Sequence, residues 1–150
     1  MGGLFARFRR RGLYREIRIV APPQLPVGDE FEAELLVVAG SRGVRVRGLL
    51  VRMLFQEICY HEEIADAAEG LTVTTEIPHT LWEGKQELAL DTQLEPSSRR
   101  SFPLRIPLQR VETESKEELR WTLQVTVQLD LPLPRSKADP HSVKKEHVFR

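Results

Sequence analysis

Cys59 stands two residues before His61 in "ICYHEE", with Glu57, Glu62 and Glu63 around them. A thiol, an imidazole and nearby carboxylates are the groups a nucleophilic pair would use. At i and i+2 on a strand, however, two side chains share a face without being aimed at a common reacting atom. Nothing resembling an oxyanion site accompanies them, so Cys59 is expected to be a small buried apolar residue with a structural role. The other histidines are His79, His141 and His147, and their spacing matches no common metal signature. The carboxylate pairs at 62–63 and 117–118 fall in polar connections, where solvated charge is the default. No phosphate-cradling glycine loop and no nucleophile elbow occurs. The chemistry-bearing residues therefore point away from an enzyme and call for no metal or cofactor.

Two segments carry segregated charge instead. Residues 1–20 hold six arginines and one glutamate, whereas Glu57, Glu62, Glu63, Asp66 and Glu69 form an acidic run without lysine or arginine. A basic end and an acidic loop can meet within one molecule or between two. In "GLFARFRRRG", Leu4, Phe5 and Phe8 fall on one side of a short helix, with Arg7, Arg9, Arg10 and Arg11 elsewhere and Gly12 as its stop. Arginines beside aromatics suit an anionic membrane surface or an acidic protein. A cap packed on the end of the domain is the structural alternative. Trp82, in "PHTLWEGK", is placed at a turn, where an exposed indole would be a binding anchor.

The elements that must position these groups are strands. In residues 121–130, Trp121, Leu123, Val125, Val127 and Leu129 alternate with Thr122, Gln124, Thr126, Gln128 and Asp130, which puts the first set in one core. Pro132 and Pro134 end that ladder, "RSKADP" is a polar loop, and the lysines of "SVKKEHVF" suit an edge strand. Upstream, "LYREIRIV", "EFEAELLVV", "VRVRGLLVRMLFQEICY", "LTVTTEI", "WEGKQELAL" and "RSFPLRIPL" read as strands. The apolar parity changes at Gly48, as a β-bulge requires. Pro103 and Pro107 place their strand at an edge or beside a bulge. "HEEIADAAEG" reads as a polar connection. Eight short strands with no alternating helices favour an all-β antiparallel sandwich or barrel.

Composition sets the bounds. The 150 residues suffice for one domain with a full core. A net charge of zero argues against nucleic acid as a partner. The lone cysteine fits a reducing compartment, and a cytoplasmic location is expected. The first residues lack the apolar stretch of a secretory signal, and Ala6 stands where a myristoylation motif needs serine or threonine.

The order of these segments resembles the arrestin-like superfamily, and within it the bacterial sporulation-control proteins. The resemblance rests on "GLFARFRRRG" leading into a first strand, "VGDEFEAELLV", "GVRVRGLLVRMLFQE", "KQELALDTQLEPSSRRSFPLRIPL" and the closing "RWTLQVTVQLDLPLPRSKADPHSVKKEHV". It implies an immunoglobulin-like, arrestin-like β-sandwich over 13–150, preceded by a basic amphipathic helix over 1–12, and a scaffold or regulatory role. Such proteins usually carry two sandwiches, and this chain has room for one. Their polar core and phosphate-sensing residues have no counterpart here. Two functions follow as expectations: an interaction module that binds a protein partner or a second copy of itself through sheet edges, or a membrane-peripheral regulator held by the basic helix.

Overall fold

The computed structural model describes residues 12–131 and 141–150. Its strands are β1 (Tyr14–Val20), β2 (Glu30–Ala39), β3 (Val44–Asp66), β4 (Leu71–Leu94), β5 (Arg99–Pro107), β6 (Glu118–Asp130) and β7 (His141–Val148). They form two antiparallel sheets, ordered β1-β2-β5 and β4-β3-β6-β7. The expected two-sheet sandwich is therefore the fold. The helix expected over 1–12, with Leu4, Phe5, Arg7, Phe8, Arg9, Arg10 and Arg11, falls almost wholly outside the described residues.

Period-two alternation builds the core. Phe31, Ala33, Leu35, Val37 and Ala39 of β2 and Phe102, Leu104 and Ile106 of β5 line one sheet. Val51 and Met53 of β3 and Leu123, Val125, Val127 and Leu129 of β6 face them from the other. Each fully buried aliphatic side chain contributes about 1.5–3 kcal/mol. Trp121 shares this inward face and packs against the core, half-buried where the rest of the set is fully buried. Thr122, on the outer face, is buried as well, between its cross-strand neighbours Leu54 and Val148.

The bulge falls where the parity change put it. The ladder skips Arg47 between Val46 and Gly48 on the side facing β6, so Val44 and Val46 point inward before it and Leu49, Val51 and Met53 after it. Gly48 meets the neighbouring strand closely, since a Cβ there would stand 2.9 Å from the Leu88 carbonyl oxygen. β5 is an edge strand, which tolerates the missing donors of Pro103 and Pro107, and β7 is the edge of the second sheet. Residues after β7 bind the sheets together. Phe149 N–H donates to the Trp121 carbonyl at 3.0 Å, its ring meets Phe31 edge-on at 5.5 Å, and Arg150 N–H donates to the Pro23 carbonyl at 3.0 Å.

Two connections differ from expectation. Most of "HEEIADAAEG" is strand, with a tight turn only at 67–70, and "WEGK" is strand throughout. Three expected strands thus merge into one hairpin whose arms have 23 and 24 residues. Leu123→Ala should lower unfolding stability by about 2–5 kcal/mol in chemical denaturation, because Leu123 is fully buried and the site cannot collapse fully. Thr126→Ala, half-buried on the opposite face, should change it by no more than about 1 kcal/mol.

Candidate functional site

The long hairpin outruns its sheet. β6 pairs with β3 only from Arg45 to Ile58, while β4 pairs with β3 as far as Asp66. Beyond Ile58 the chain is therefore a two-stranded ribbon projecting from the sandwich. A two-stranded hairpin is marginal alone in water, so its root must be held.

The root is held on both faces. On the inner face, Phe55 stacks on Trp121 with centroids 4.5 Å apart, and Trp82 leans on Trp121 at 5.9 Å. The Trp82 indole lies over Gly84, where a Cβ would stand 2.7 Å from the ring. Trp82 is therefore a half-buried strand residue in an aromatic cluster and not an anchor displayed on a turn. On the outer face, Arg120 of β6 grips Glu76 of β4 through two hydrogen bonds of 3.0 and 3.3 Å and lies 3.4 Å from Glu118. The Tyr60 hydroxyl donates to Glu118. Hydrogen bonds from Arg120 hold the Glu76 carboxyl below the usual glutamate range, against a smaller opposing effect of desolvation.

Outside this root the ribbon exposes apolar side chains. Leu71, Val73 and Ile77 alternate along one face of β4, and each is half exposed. The same face continues through Cys59, opposite Ile77, to Leu119 and the aromatic cluster. Tyr60 and Ile64 are exposed on the other face. Acidic groups surround this strip: residues 53–84 carry seven carboxylates and no lysine or arginine. Glu76 and Glu83 are engaged by Arg120 and Arg52. Among the described residues, Glu57, Glu62, Asp66 and Glu69 make no ion pair.

The suspected Cys59–His61 pair is divided between two carboxylates. The Cys59 thiol faces Glu57 at 3.7 Å, and His61 lies 3.3 Å from Glu63. Desolvation first, then the negative charge of Glu57 and Glu117, pushes the thiol pKa up, opposite to what a nucleophile needs. Cys59 is half-buried and not fully enclosed, because it lies where the sheet gives way to the ribbon. Among the described residues no group of three or more histidines, cysteines and acids is arranged to hold a metal, and no helix is long and apolar enough to cross a membrane.

The charge segregation was visible in the sequence, but the exposed strip was not. "LTVTTEI" has the pattern of any half-buried strand, and only its pairing beyond the end of β6 leaves Leu71, Val73 and Ile77 uncovered.

No protein-family profile and no curated protein matches the chain. Among solved structures, it is similar to Spo0M, a sporulation control protein from Bacillus subtilis, with a TM-score of 0.53 and 9% identity. The match covers 89% of this chain and 48% of that one, so the chain spans about half the length of the solved protein. At that identity the likeness is one of fold alone.

Two measurements check the site's electrostatics. Cys59 should react slowly with a thiol reagent at pH 7–8 and faster only above the ordinary thiol range, with Glu57→Gln raising the rate. In NMR titration Glu76 should titrate below an ordinary glutamate, and Arg120→Ala should move it back up. Because its folded pKa is depressed, its contribution to stability is fully present above the ordinary glutamate pKa and is lost as pH falls through the lowered value.

Proposed function

We propose that the protein is a non-enzymatic interaction module that engages a basic, partly apolar partner segment through the β3–β4 ribbon. The observation behind this reading is the strip of Leu71, Val73, Ile77 and Leu119, exposed at the ribbon and bordered by carboxylates that make no ion pair among the described residues. Exposed apolar side chains set on one face among carboxylates have the composition of a recognition surface. Among the described residues the outer edge of β4 has no neighbouring strand, so backbone pairing is open to an extended peptide. Fold likeness to a sporulation control protein supports a regulatory role of this kind. The alternative, a peripheral regulator held on an anionic membrane by the basic segment, has its support in the sequence of residues 4–11 alone.

A fluorescent arginine-rich peptide carrying two aromatic residues is the probe. It should bind the full chain with an affinity that falls as salt rises. Val73→Ser together with Ile77→Ser should weaken binding about tenfold, corresponding to roughly 1.4 kcal/mol, while Tm stays within a few degrees. Undiminished binding by that variant would overturn the reading.

A further inference from the structure

The ribbon is acidic and apolar, and residues 4–11 are basic and apolar, with Leu4, Phe5 and Phe8 among Arg7, Arg9, Arg10 and Arg11. These two parts complement each other in charge and in hydrophobicity. They are rooted at opposite ends of the sandwich. Gly40 N–H donates to the Leu13 carbonyl at 3.0 Å, and Tyr14 pairs with Ala39 at the end of β2, beside the turn that opens β3. From there β3 runs fifteen residues from Val44 before reaching Cys59, about 45–50 Å at roughly 3.3 Å per residue. Arg7 to Arg11 lie within five residues of Gly12, so even full extension carries them at most about 18 Å. Leu4, eight residues away, reaches about 29 Å on the same basis. The segment therefore falls short of the ribbon of its own molecule.

Building on the reading of the ribbon as a recognition surface, we infer that its occupant is the segment Leu4–Arg11 of a second copy of this chain. The arginines would face Glu57, Asp66 and Glu69, and Leu4, Phe5 and Phe8 would cover Val73, Ile77 and Leu119. Several charges on the sheets are matched locally, as in Arg105 with Glu30 and Lys144 with Glu146, whereas the ribbon sets Glu57, Asp66 and Glu69 beside exposed apolar side chains, the combination that a basic and apolar segment requires. This assigns self-association to the ribbon and the N-terminal segment and not to the lysine-bearing edge of β7.

The test is complementation between two full-length variants followed by sedimentation at tens of micromolar. One variant carries Arg7→Glu, Arg9→Glu, Arg10→Glu and Arg11→Glu, and the other Val73→Ser and Ile77→Ser. Wild type should associate, with at least tenfold weakening when sodium chloride rises from about 50 to about 500 mM. Each variant alone should associate at least tenfold more weakly. The mixture should form a one-to-one complex, because the first retains an intact ribbon and the second an intact segment. A synthetic peptide of residues 4–11 should dissociate the wild-type assembly, a check that needs no altered protein. A wild type that stays monomeric overturns the inference, as does association that survives the arginine reversals. So does an arginine-dependent affinity for anionic phosphatidylserine vesicles without self-association, which would assign the segment to a membrane. If the basic probe peptide still binds the ribbon while self-association is absent, the recognition surface stands and only its occupant is wrong. If both are absent, the recognition surface falls too.

Discussion

Everything distinctive about this molecule depends on how far β3 is paired on each of its two sides. From Arg45 to Ile58 it has a neighbour on both, β4 and β6, and over that length its inward residues close a conventional core. From Cys59 to Asp66 it has β4 alone. The pairing of β3 with β4 continues across this boundary, with a register shift on either side of it, at Phe55/Gln56 and at Ile64/Asp66. What changes is that the opposing sheet no longer covers the inward face, so an apolar pattern that means core at Val51 and Met53 means surface at Val73 and Ile77. The sandwich and the ribbon are two outcomes of one pair of strands.

The boundary is itself well supported. Phe55, Trp82 and Trp121 fill the inner side, where three large rings pack on one another at the end of the core. Arg120 spans from β6 to Glu76 on the outer side and binds the first turn of ribbon to the last strand that could have extended it. The planar guanidinium meets the carboxylate with two parallel hydrogen bonds, which restrains orientation as well as distance. Such an exposed pair adds little to global stability, and its value lies in fixing the angle at which the ribbon departs.

Much of the fold was legible because a buried face leaves an imprint of period two. The inward set of β6 from Leu123 to Leu129, the bulge beside Gly48, and the edge positions of β5 and β7 could all be read from alternation, proline and lysine. The long hairpin could not. "HEEIAD" has no buried side, so nothing constrains its residues to alternate, and a solvated strand looks like a loop. Gly84 looked like a turn because its role, making room for the Trp82 ring, depends on a neighbour's rotamer and not on its own dihedral angles. Of the candidate site, the separation of charge was evident and the geometry was not. The pattern around Cys59 reads as core because it carries no sign that pairing with β6 stops one residue earlier.

The unequal pairing of β3 also sets how the molecule opens. Amide hydrogens of the ribbon are shielded by a single partner strand, so they become accessible to solvent exchange when the hairpin unzips from the turn at 67–70. That unzipping exposes little apolar surface, since the side chains it frees are already half in water. It meets resistance at the Arg120–Glu76 contact and the aromatic cluster, beyond which further opening would dismantle the core. A single hairpin thus carries a steep gradient of local stability, with fast-breathing residues at the tip and globally protected ones some fifteen residues along the same strand.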